Sequence, residues 1–249
     1  MKSRLLLLLA GALLVMGMAE RPKPPPRLSP EEASKQGKAL VASLLSEMPA
    51  QNLTNSGLIR IRGDNGQRTE IPVKFEITAG SNSWSSLYEA GDPTNATGLV
   101  KLKVVHTPGL PNEYRLTHNG ETCALSGNET MIPFAGSDFW VADLGLEFLH
   151  WPDQRLVMKE MKRGQSCDVL ESINPNPVPG AYRRVVSWID IDSGGIVYAE
   201  AYDLQNELLK EFIPKRLKKI KGQWELQEME MDNDQTGSRT WIEFNLSHD

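Results

Sequence analysis

Cysteine is scarce in this sequence: Cys123 and Cys167 are the only two in 249 residues. That excludes a small extracellular module stapled by several disulfides. The pair admits one bridge or two free thiols, and sequence spacing does not decide between them. Histidine is nearly as rare. His106, His118, His150 and His248 show no metal-ligand spacing with one another, so a clustered zinc site has no support. There is no Gly-x-Ser-x-Gly elbow and no Gly-x4-Gly-Lys-Ser/Thr loop, and no motif asks for a cofactor. Positive charge is not in excess: Lys and Arg number 27 against 32 Asp and Glu, a formal charge of −5. Phosphate backbones demand a basic surface, so nucleic acid is a poor partner.

Only one long apolar run exists, and it stands at the N-terminus. Lys2 and Arg4 precede Leu5 to Met18, and Gly17 and Ala19 supply small residues for cleavage. This is the pattern of a secretory signal peptide over residues 1–19. The run falls short of the roughly 20 apolar residues of a comfortable membrane span. A retained anchor is the alternative; cleavage leaves no stable transmembrane span. Residues 20–28 hold "RPKPPPRL", whose prolines favour an extended linker. The folded domain is expected over 29–249.

A helix opens that domain. Ser29 is placed as N-cap, Pro30 at the first helical position and Glu32 three residues after the cap. Ala33, Gly37, Leu40, Val41, Leu44, Leu45 and Met48 recur at helical spacing until Pro49. Most of the rest alternates with period two, as in "EIPVKFEIT" and "GLVKLKVVH", between turns such as "GDNG" and "DSGG". Short strands so punctuated predict an antiparallel meander of about ten strands. A flat sheet of that width would expose long edges. The economical answer is a strongly curved sheet or incomplete barrel, a mainly β (α+β) fold.

Gly136 to Trp151, "GSDFWVADLGLEFLHW", departs from the alternation. On a helical wheel Trp140, Val141, Leu144, Phe148 and Trp151 share one third of the circumference. Phe139, Leu146 and Leu149 flank a polar wedge of Asp143, Glu147 and His150. The segment therefore reads as a helix buried on more than one side, capped by Ser137, stopped by Pro152 and weakened at Gly145. A second segment invites misreading. Asp232, Asp234, Thr236, Gly237 and Glu243 fall at the spacing of an EF-hand calcium loop. Their flanks read as strands, and Arg239 opposes a cation, so a hairpin turn is expected instead.

The ordered set "GSDFWVADL", "LVMKEMKRGQSCDVLES", "YRRVVSWIDIDSG", "AEAYDLQNELLKEF" and "KKIKGQWELQEMEMDNDQTGSRT" resembles bacterial outer-membrane lipoprotein-sorting proteins of the LolA-like group. The resemblance implies an incomplete antiparallel β-barrel with an N-terminal helix and a plug helix on its concave side. It implies a hydrophobic cavity, a periplasmic location and lipid or lipoprotein acyl chains as cargo, without enzymatic activity. Leu40, Leu44, Leu45, Phe139, Trp140, Leu144 and Phe148 would line the helical side of the cavity, or would fill a dry core. The alternative function is a cell-envelope scaffold that binds a partner protein through the curved sheet. An enzyme with a dispersed site has no positive support.

Overall fold

A computed structural model of the chain describes residues 28–92, 94, 98–220 and 223–245. The expected signal peptide and all but the last residue of the linker lie outside them. Helix α1 spans Pro30–Ser46. Ser29 Oγ accepts the Glu32 N–H at 3.2 Å, satisfying one of the orphan donors of the first turn.

Thirteen strands follow: β1 Leu53–Arg62, β2 Arg68–Thr78, β3 Trp84–Ala90, β4 Val100–His106, β5 Glu113–His118, β6 Glu121–Leu125, β7 Asp153–Lys162, β8 Gln165–Ile173, β9 Arg184–Asp190, β10 Ile196–Tyr202, β11 Leu208–Ile220, β12 Gln223–Asn233 and β13 Arg239–Phe244. They form one sheet in the order β6-β5-β4-β3-β2-β1-β13-β12-β11-β10-β9-β8-β7. Two meanders thus meet at an antiparallel β1–β13 seam, where Ile59 faces Ile242. The period-two alternation passes over β3 and β6, so the sheet is wider than the ten or so strands expected.

Strands β6 and β7 are consecutive in the chain yet lie at opposite edges of the sheet. The segment between them must cross the inner face from edge to edge. It begins with a 3₁₀ turn, Gly127–Thr130. A tight hairpin follows, closed by Phe134 N–H to Phe139 O (2.8 Å) and Val141 N–H to Ile132 O (3.0 Å). Helix α2, Val141–Leu144, and a 3₁₀ turn, Glu147–His150, complete the plug.

This plug shows how far the sheet curls. Asn112 Nδ2, just before β5, donates to Gly145 O at 2.7 Å, and Tyr182 OH, just before β9, donates to Asp143 at 2.9 Å. Nine strand steps separate β5 from β9, about 43 Å on a flat sheet at ~4.8 Å per step. Residues two apart in one short segment can reach both only if the sheet bends round them.

The single helix expected over Ser137–Trp151 is instead a hairpin tip, one helical turn and one 3₁₀ turn. Gly145 ends α2, and Leu146 follows in the left-handed region at φ 52°. Ser137 does not cap a helix; its hydroxyl donates to Phe134 O at 2.7 Å and tightens the hairpin. The break at Gly145 has a second cause. An added Cβ there would lie 2.3 Å from the Tyr114 ring, so the plug approaches β5 too closely for any side chain.

Helix α1 packs on the other edge. A Cβ on Gly37 would meet the β7 backbone at Gln154 and Arg155 at 2.7 Å. This close approach covers an edge strand that would otherwise offer unpaired backbone groups.

Of the two alternatives open to Cys123 and Cys167, the structure has two free thiols and no bridge. Cys123 shares the inner face of edge strand β6 with its cross-strand partner Leu116. Cys167 is buried on the outer face of β8, beside Trp188 and Tyr198. No bridge can join opposite faces of a sheet. The "DNDQTG" segment forms the β12–β13 turn, with Asn233 N–H donating to Ser238 O at 3.0 Å.

Candidate functional site

Two kinds of contact hold the plug to the inner face. The first is apolar. Phe134 and Phe139, on the arms of the hairpin, are almost wholly buried with Ile59, Leu102, Val104, Tyr114 and Ile242. Phe148, Leu149 and Trp151 pack with Val41, Leu170, Tyr182 and Ile189 on the other half of the sheet.

The second is a buried polar lock. Asp138 accepts from Ser238 Oγ (2.6 Å) and Thr240 Oγ1 (2.8 Å), tying the hairpin tip to β13 and the turn before it. Lys210, 1% exposed on β11, donates from Nζ to Asp138 O at 2.7 Å. The same ammonium lies 3.8 Å from Asp143 Oδ2 and 3.4 Å from the Trp140 ring centroid. Trp140 stacks on Tyr182 with centroids 4.5 Å apart. Asp143 also accepts the Trp140 N–H at 2.7 Å. Burial is the leading cause in both titrating partners: it pushes the Asp143 carboxyl up and the Lys210 ammonium down, to about 7. Each charge resists the other's neutralisation.

Apolar contact and lock together close most of the inner face. Among the described residues, a half-open cavity of about 420 Å³ lies between β2–β5 and the hairpin. Ile71, Ala90, Val100 and Leu116 form the sheet wall; Ile132, Pro133, Ala135 and Gly136 form the plug wall. His118 is the one ionisable side chain among the lining residues. The plug wall turns through two consecutive positive-φ residues, Ala135 (50°) and Gly136 (72°), which set its curvature.

Histidines on β4 and in the plug make the stability pH-dependent. The His106 ring stacks on Trp84 at 3.8 Å between centroids, with its Nε2 3.4 Å from Ser86 Oγ. Burial lowers His106 to about 4, and it lowers His150 in the plug too. A depressed histidine pKa means that the unfolded chain takes up protons which the folded chain refuses. Stability is then full above about pH 6.5 and falls as pH drops toward the folded value near 4. Glu147, raised by burial, works in the opposite sense, since it adds stability only as it protonates. Between pH 7 and pH 5 the His106 contribution to the loss should be about 1 kcal/mol, discounted for the partly exposed ring. Urea unfolding at the two pH values measures it. His106→Gln should flatten the dependence, and equal midpoints for the unsubstituted protein would contradict it.

The side chains proposed from sequence to face cargo fall as follows. Phe139 and Leu144 join the cluster on the β1–β5 side. Phe148 joins the cluster under α1, with Leu40, Leu44, Leu45 and Trp140 packed against it. None of the seven is among the residues that line the 420 Å³ cavity. The cavity residues were beyond sequence reasoning, because alternation reports which face a residue takes and not where a void remains. Lys210 left a legible sign: it shares the inward phase of its strand with Phe212, an odd place for a lysine.

Among the described residues, no helix is long and apolar enough to cross a membrane. A family model described as "Uncharacterized protein" matches residues 117–246, just over half the chain, and the chain belongs to that family. No curated protein matches the chain. Among solved structures it is similar to a putative outer membrane lipoprotein-sorting protein domain from Vibrio parahaemolyticus, with a TM-score of 0.70 at 18% identity, over 86% of this chain and 92% of that one. It is similar to a DUF1329 family protein from Desulfovibrio piger, with a TM-score of 0.67 at 21% identity, over 87% and 93%. A LolA superfamily protein from Nitrosomonas europaea aligns with a TM-score of 0.55 at 12% identity, over 88% and 92%. At these identities the likeness establishes the fold, a LolA-like half-barrel.

Proposed function

We propose that this protein is a non-enzymatic carrier or binding protein for lipid acyl chains, exported to the periplasm. The observation that carries this reading is the apolar half-open cavity between the curved sheet and the plug. Burying about ten methylenes there is worth ~8 kcal/mol gross. Association costs of several kcal/mol leave affinities in the range of a reversible carrier. The apolar lining also favours binding over acid–base catalysis, which needs converging ionisable groups. The N-terminal signal pattern supports export. The Vibrio parahaemolyticus relative's description supports a narrower form of the reading, participation in outer-membrane lipoprotein sorting.

The test is gentle purification from envelope extracts, followed by mass spectrometry of an organic extract and titration with a fluorescent fatty acid. Co-purifying lipid and saturable binding are expected. Absence of both would overturn the reading. Stoichiometric recovery of an envelope protein in lipid-free preparations would favour the scaffold alternative.

A further inference from the structure

The inner face is unevenly filled, and the filling limits what the protein can hold. On the β8–β11 half, α1 and the plug cover Leu170, Tyr182, Ile189 and Leu209, all buried. Along the seam, Phe134, Phe139, Val141, Ile59 and Ile242 are at most 1% exposed. Among the described residues, the cavity lies at the β2–β5 end. An engineered apolar cavity of about 150 Å³ holds one benzene ring, so about 420 Å³ accommodates roughly 17 carbon atoms at the same packing. That is one long acyl chain. A second chain would need the hairpin to withdraw. Withdrawal would expose Phe134 and Phe139 and break the bonds of Asp138 to Ser238, Thr240 and Lys210. The open side of the cavity leaves a head group in water, so size selects by chain number.

We propose that the cavity between β2–β5 and the Ile132–Val141 hairpin takes a single acyl chain. Its ligands are then one-chain amphiphiles, free fatty acids or lysophospholipids, and not the two- or three-chain anchors of phospholipids and lipoproteins. This deepens the lipid-binding reading above and rests on it.

The protein carries its own reporter position. Cys123 is exposed on β6 and pairs with the lining residue Leu116, whereas Cys167 is fully buried. An environment-sensitive fluorophore on Cys123 therefore labels one site, and native mass spectrometry of unlabelled protein supplies an independent count. The probes are hexadecanoic acid, hexadecanoyl lysophosphatidylcholine, dihexadecanoyl phosphatidylcholine and a triacylated lipopeptide. One or both single-chain probes should saturate at one per protein, and the two multi-chain probes should bind at least tenfold more weakly. Comparison of the two single-chain probes identifies which head group is accepted. Leu116→Trp, which fills the cavity, should weaken single-chain binding at least tenfold. Where that variant does not fold, Ile132→Asp on the more exposed plug wall serves the same purpose. Equal or tighter binding of either multi-chain probe overturns the single-chain inference and leaves lipid binding standing. No binding of any probe overturns both.

Discussion

Lys210→Met should lower stability by roughly 3–5 kcal/mol, the usual cost of removing one partner from a buried ion pair. For a chain of this size that is about 10–15 °C in Tm. The reason lies in what stays behind. Asp143 keeps its bonds from Tyr182 OH and Trp140 N–H but loses the ammonium 3.8 Å away. Its buried charge is then uncompensated. The Asp138 carbonyl loses its bond from Nζ. Methionine fills a similar volume, so packing alone predicts a small effect. The double variant Lys210→Met/Asp143→Asn removes the stranded charge and should recover much of the loss. A thermodynamic cycle over the four proteins isolates the coupling. Additive single effects would show that Lys210 and Asp143 do not act as a pair.

Asp138→Ala should cost about 2–3 kcal/mol, because the buried Thr240 hydroxyl and the half-buried Ser238 hydroxyl lose a charged acceptor at once. The substitution removes the carboxylate's bonds from Ser238 and Thr240, whereas the main-chain N–H still donates to Thr240 Oγ1 at 2.9 Å. Asp138→Asn keeps the shape and one good acceptor, so it should cost less than half as much. Chemical denaturation of the pair of variants checks the ratio. Equal losses would mean that shape, not charge, secures the tip.

These residues mark the boundary of what sequence could disclose. The strands were legible wherever one face is apolar and the other charged, as in Arg68–Thr78. β3, "WSSLYEA", hid its alternation by placing Ser86 inward, where it is 3% exposed. β6, "ETCAL", is an edge strand with four exposed residues and therefore little pattern to read. The plug misled for another reason. A helical wheel assumes continuous helical dihedrals, and Phe139 is in a hairpin while Leu146 is left-handed. Its hydrophobicity correctly signalled burial on more than one side, because the segment must fill a bent sheet. Asp143, read as part of a polar wedge, points to Lys210 and Tyr182, a meeting of distant strands that no local period encodes.

The β1–β13 seam has a kinetic consequence. Most neighbouring strands are joined by short turns and can pair early, but Arg60 and Glu243, which touch across the seam, are 183 residues apart. Closing so long a loop costs about 3 kcal/mol more entropy than closing a turn of six residues. Contacts that distant form late. Each meander can assemble its hairpins first, with the inner apolar faces still open to water. The plug gains its second wall only when the seam zips. The chain would therefore spend its most aggregation-prone interval as two half-sheets, and refolding rates should respond to substitutions at Ile59 and Ile242 more than to those in β6.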